Sequence, residues 1–99
     1  MPHLRDPVRL CQPILVFLRG GKRPAWEIED ELARQFNVTD AERKKLYPNI
    51  GKMPVWTNDV AFALKRLKED QKIDHEPRKR KAPNGGYRYI YYLASAPSP

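Results

Sequence analysis

Between Trp56 and Asp70 apolar residues recur at a helical spacing: Val60, Ala63, Leu64 and Leu67 fall at i, i+3, i+4 and i+7, with Trp56 one turn earlier. At about 100° per residue, Asn58, Phe62, Lys65, Arg66 and Glu69 point away from this stripe. The pattern predicts an amphipathic helix whose outer face mixes amide, aromatic and cationic groups. Upstream, Asp6-Pro7 pairs an N-cap with a proline at the first helical position and leads into the apolar run Val8 to Leu18. Pro13 removes a backbone donor inside that run, so a helix kinks there or begins there, and Gly20-Gly21 ends it. Pro24 opens a second helix through about Asn37. Ala25, Ile28, Leu32 and Phe36 face inward, and Glu27, Glu29, Asp30, Glu31 and Arg34 form a largely solvated acidic face.

Thr39-Asp40-Ala41-Glu42 has capping-box spacing and predicts a short helix from about Asp40 to Leu46. The stretch Leu46 to Pro54, with two prolines and a glycine, reads as a loop delivering the chain to the long helix. Two strand-like runs follow, Ile73 to about Pro77 and Tyr87 to Leu93, joined by a basic loop ending in Pro83-Asn84-Gly85-Gly86. Three main helices, a short helix and a C-terminal two-stranded β-wing define an α+β, mostly α fold of the winged helix-turn-helix type. Residues 6–93 form the domain, residues 1–5 a flexible start, and residues 94–99 a tail or the start of a linker.

Charge adds a partner class. The 99 residues carry a formal net charge of +7, which favours polyanions, nucleic acid first. Five cations and no acid lie between Arg78 and Arg88. The single Cys11 forms no internal disulfide and suits a reducing compartment. No apolar run approaches the ~20 residues of a membrane span and the amino-terminus lacks a signal-peptide pattern, so a cytoplasmic, nucleoid-associated protein with no membrane partner is expected.

Leu10-Cys11-Gln12-Pro13-Ile14-Leu15, then Gly20-Gly21, Leu46-Tyr47-Pro48, Trp56-Thr57-Asn58-Asp59-Val60-Ala61-Phe62-Ala63 and the ribbon together resemble the N-terminal winged-helix domain of Mrr-type restriction endonucleases. The likeness runs from about Asp6 to Leu93, and Pro13 stands where that family also carries a proline. Two departures stand out. The family commonly has glycine in the turn leaving the long helix, where this chain has Glu69-Asp70-Gln71-Lys72, and its ribbon turn is usually shorter than Arg78–Gly86. The resemblance implies a DNA-recognition module joined, in full-length relatives, to a nuclease domain that cuts modified DNA.

The candidate DNA-contacting residues are Thr57, Asn58, Asp59, Phe62, Lys65 and Arg66 on the long helix and Arg78, Lys79, Arg80, Lys81 and Arg88 on the ribbon. Asn58 suits adenine or a phosphate, and Lys65 and Arg66 suit guanine or backbone. Asp59 either accepts from a cytosine amine or caps the helix start, the cap being the favoured role. Phe62 either meets a thymine or modified-base methyl or packs beneath the wing or against a partner subunit. Glu42-Arg43-Lys44, with Asp30 or Asp40 upstream, matches the acid-x-lysine end of restriction-type sites, but a helical Glu42 cannot share a metal with a neighbouring strand. His3 and His75 with one Cys lack zinc-ligand spacing, and no glycine-rich loop opens a helix after a strand. No catalytic group, cofactor or metal is therefore expected. The leading function is double-stranded DNA binding within an Mrr-like restriction system. A winged-helix transcription regulator, which would be a homodimer on a palindrome, and a protein-interaction wing are the alternatives.

Overall fold

The computed structural model describes residues 5–46, 54–83 and 85–94. Helix α1 spans Pro7–Leu18, and its start follows from local chemistry: the Asp6 carboxylate accepts from the Val8 N–H, and Pro7 occupies the first turn. The helix continues through Pro13. That residue's missing N–H relieves only the Arg9 carbonyl of its helical donor, and Arg9 is exposed to solvent. Gly21, at φ 122, carries the turn out.

A two-residue strand, β1 (Arg23–Pro24), precedes α2 (Ala25–Gln35). This strand is absent from the sequence reading, which placed Pro24 at the opening of the helix. Proline is tolerated because β1 lies at a sheet edge. The first turn of α2 is closed from outside by the Ala25 N–H donating to the Tyr89 carbonyl at 3.1 Å. Asn37, at φ 55, ends α2 in a Schellman turn, with the Val38 N–H on the Ala33 carbonyl at 2.9 Å.

Helix α3 (Asp40–Arg43) carries the expected reciprocal capping box of Thr39 and Glu42 but stops short of Leu46. Of the loop expected from Leu46 to Pro54, residues 47–53 lie outside the described residues, and its ends, Leu46 and Pro54, form an antiparallel bridge. Helix α4 (Val55–Glu69) fulfils its pattern: Trp56, Val60, Ala63, Leu64 and Leu67 are all buried. They meet Leu10, Ile14 and Leu18 of α1, Ile28 and Leu32 of α2 and Ile73 beyond the helix in one core. Trp56 also satisfies its only polar atom, the indole N–H donating to the Glu29 carbonyl at 3.1 Å.

Helix α4 ends in a second Schellman turn, with the Lys72 N–H on the Leu67 carbonyl at 2.9 Å and the Gln71 N–H on Lys68 at 3.0 Å. Gln71 takes φ 60 there. The turn that the resembling family makes with glycine is thus made by a residue that pays a steric penalty for it.

Beyond it the chain forms β2 (Ile73–His75), β3 (Arg80–Lys81), β4 (Tyr87–Arg88) and β5 (Ile90–Leu93). Strand β5 lies between β1 and β2 and is antiparallel to both, with Arg23 opposite Tyr91 and His75 opposite Tyr91 on the other side. Strands β3 and β4 pair separately, Arg80 opposite Arg88. The expected two-stranded wing is therefore one arm of a three-stranded sheet, prolonged by a short hairpin. The basic segment expected as loop supplies one strand of that hairpin. Among the described residues the result is a small α+β protein with four helices.

Arg5 and Ala94, just outside the expected domain, both make hydrogen bonds to it. Arg5, assigned to a flexible start, is tied down: its N–H donates to Asp59 Oδ2 at 3.2 Å and its guanidinium to the Phe36 carbonyl at 3.1 Å. Ala94, assigned to the tail, donates to the Lys72 carbonyl at 3.0 Å.

Candidate nucleic-acid interface

The helical repeat that buries one face of α4 presents the other. Phe62 is 47 % exposed, Lys65 and Arg66 are exposed, and Asn58 is half-buried near the helix start. Two of the six candidates on this helix leave that surface. Asp59 is fully buried and accepts from Arg5, and Pro54 rather than Asp59 stands at the N-cap of α4. Thr57 donates its hydroxyl to Glu29 Oε1 at 3.1 Å.

Glu29 corrects the picture of α2 as a solvated acidic face. It is 5 % exposed and receives the Arg88 guanidinium as well as Thr57. Burial pushes its carboxyl above the ordinary range, and Arg88 opposes that shift. The signal was present in the sequence, because Glu29 falls at i+4 from Ala25 and i−3 from Leu32, inside the apolar stripe. Arg88 is accordingly a brace between ribbon and helices. It is only partly available to a ligand, with 30 % of its side chain exposed.

The other ribbon cations sort into two groups. Arg80 lies 3.4 Å from Glu76, which also binds Lys22 at 2.8 Å and is held below the usual carboxylate range by the Lys22 hydrogen bond first. Arg78, Lys79 and Lys81 are exposed and, among the described residues, pair with no carboxylate.

Lys79 instead lies over the Tyr89 ring, 5.1 Å from its centroid. Tyr89 in turn stacks on His75, with ring centroids 3.8 Å apart. His75 accepts from Lys68 Nζ of α4 at Nε2, 2.7 Å away; since an ammonium only donates, the ring proton sits on Nδ1 and donates to the Glu76 carbonyl at 2.8 Å. This chain of contacts clamps the ribbon to the exposed face of α4.

Between helix and ribbon lies an open cleft of about 310 Å³. Lys65 and Lys68 enter it from α4, Lys79 and Arg88 from the ribbon, and Tyr87, Tyr89, Tyr91 and His75 form its aromatic wall. Among the described residues no carboxylate lines it. Lys68, His75 and the tyrosines are absent from the sequence-based site, although Lys68 was legible as i+3 from Lys65 on the same face. A second hollow of about 320 Å³ lies between α1 and α4, where Val8 and Phe62 meet Lys65 and Arg66.

Residues 8–82 match the model of the Mrr N-terminal domain. The chain belongs to that family. The match covers α1 to β3, somewhat less than the span from Asp6 to Leu93 of the resemblance, and leaves Tyr87, Arg88 and Tyr89 beyond its end. The Mrr N-terminal domain is distinct from the nuclease domain, and the family suggests an Mrr-like restriction-system context. A comparison with the curated proteins finds no match. Among the described residues of this family member, no group of three His, Cys, Asp or Glu side chains could hold a metal ion, and no helix is long and apolar enough to cross a membrane.

Proposed function

We propose that this Mrr N-terminal domain is a double-stranded DNA-binding module of winged helix-turn-helix plan, the recognition part of an Mrr-like restriction protein. The order of elements supports the plan: a helical unit ending in α4, an antiparallel sheet whose first strand precedes α2, and a hairpin extending from that sheet. In such a plan α4 enters the major groove and the hairpin reaches the neighbouring backbone.

The observation that carries the reading is the convergence of Lys65 and Lys68 from the helix with Lys79 from the ribbon on one cleft that no carboxylate lines among the described residues. A polyanion is the partner that relieves the mutual repulsion of such cations. Arg66, Arg78 and Lys81 extend the positive surface on either side. Specificity falls to Asn58 and Arg66, with Phe62 facing a base methyl group. Chain cleavage belongs to a nuclease domain joined to this one in the full-length protein.

Fluorescence anisotropy with methylated and unmodified versions of the same duplexes tests the restriction context. A reader of modified DNA binds one form more tightly. Equal affinity for both forms removes modification reading and leaves a general duplex binder.

A further inference from the structure

We infer that the cleft between α4 and the ribbon is a site for one unpaired nucleotide of the bound DNA, its phosphate among Lys65, Lys68 and Lys79 and its base against Tyr87. The inference rests on the DNA-binding reading above and adds the unit of nucleic acid that the cleft accepts.

Three features favour a nucleotide over a passing phosphate strand alone. The first is chemical composition: phosphate contacts need cations and N–H donors, yet this cleft pairs its cations with a wall of aromatic rings. Cationic grooves lined by aromatic side chains are how proteins hold unstacked bases, because every base offers a π-face. The second is size. A volume of about 310 Å³ stands at the lower end of the ~300–1,000 Å³ that small-molecule sites occupy, which suits a base with its sugar.

The third is availability. Tyr89 is engaged by His75 and Lys79, and Tyr91 meets both His75 and Tyr89 edge-on, so these rings form a fixed wall. Tyr87 lines the same cleft and is 64 % exposed, which leaves its ring as the platform. The wall is held before any ligand arrives, since Lys68 of α4 anchors His75 beneath Tyr89. An extruded nucleotide therefore meets a formed site and bears only its own cost of unstacking.

The test is anisotropy titration of the full chain with a matched duplex and with the same duplex carrying one unpaired nucleotide, repeated for Tyr87→Ala and Tyr87→Phe. Stacking on one tyrosine predicts roughly 5- to 100-fold tighter binding of the duplex with the unpaired nucleotide. Tyr87→Ala abolishes that preference, whereas Tyr87→Phe keeps it. Equal affinity of the unmodified chain for the two duplexes overturns this inference and leaves the DNA-binding reading intact. Retention of the preference in Tyr87→Ala also overturns it, by removing the platform. Binding of neither duplex overturns the DNA-binding reading itself and the inference with it.

Discussion

The carboxylate of Glu29 on α2 accepts the guanidinium of Arg88 on the ribbon, and through its second oxygen it also accepts the Thr57 hydroxyl at the start of α4. One buried acid thus fixes the relative position of the two elements that bear the cationic cleft. The partners are unequally solvated, Arg88 being 30 % exposed at its side chain and Glu29 7 %. Removing Arg88 therefore strands a buried charge, while removing Glu29 leaves a guanidinium that water still reaches.

This asymmetry predicts that Arg88→Ala lowers stability at neutral pH by about 2–3 kcal/mol and Glu29→Ala by less, measured by urea unfolding. The pH dependence has a definite sign. Because burial raises the Glu29 carboxyl above its reference value of 4.5, the folded protein holds a proton that the unfolded chain has released, and stability falls as pH rises through that window. In Arg88→Ala the opposing cation is gone and the carboxyl rises further, so the variant's deficit is larger at pH 7 than near pH 4.5. Glu31, Glu42 and Glu76, all lowered, act in the opposite sense, and their contribution is lost as pH falls below the reference value. Comparison with Glu29→Gln isolates the Glu29 contribution. A deficit of Arg88→Ala that does not vary with pH contradicts this account of the pair.

Much of the helical frame was legible because it depends on local rules. The Asp6-Pro7 start, the Thr39–Glu42 box and the inward stripe of α4 each follow from side chains within one or two turns of each other. The sheet was less legible. Strand β1 is two residues long, carries a proline, and exists because β5, more than sixty residues later, lies beside it. The site shows the same division. Exposure of Phe62, Lys65 and Arg66 followed from periodicity, whereas Asp59, Thr57 and Arg88 were drawn inward by Arg5 and Glu29, partners remote in sequence. The cationic-aromatic cleft depends on the fold bringing Lys68, His75 and Tyr89 together.

Gln71 holds a left-handed conformation at the end of α4 with φ 60. Glycine adopts that region without the Cβ penalty, at some cost in unfolded-chain entropy. Gln71→Gly is expected to raise stability by about 0.5–1 kcal/mol, a shift of roughly 2–8 °C in Tm for a domain of this size. Calorimetry checks it; a lowered Tm would mean that the Gln71 side chain contributes more than its backbone costs.

Ribbon and helix are expected to contribute differently to binding. Replacing Arg78, Lys79, Arg80 and Lys81 together by alanine is expected to weaken all duplexes similarly and to flatten the salt dependence, since Arg78, Lys79 and Lys81 are the ribbon cations expected at phosphates. Asn58→Ala instead changes the ranking among duplexes of different sequence, by about 1–3 kcal/mol at the position it reads. Competition binding against a randomised duplex pool separates the two effects. An unchanged ranking in Asn58→Ala removes this residue from the reading surface.

The most direct measurement of the central claim is the affinity of the full chain for duplex DNA across a series of salt concentrations. Arg80 and Arg88 are held by carboxylates, which leaves Lys65, Lys68, Arg78, Lys79 and Lys81 as the cations expected at phosphates. Some three to five phosphate contacts predict that log Kobs falls linearly with log salt concentration at a slope of roughly −2.7 to −4.5. Absence of duplex binding at low salt, or an affinity indifferent to salt, would contradict the account.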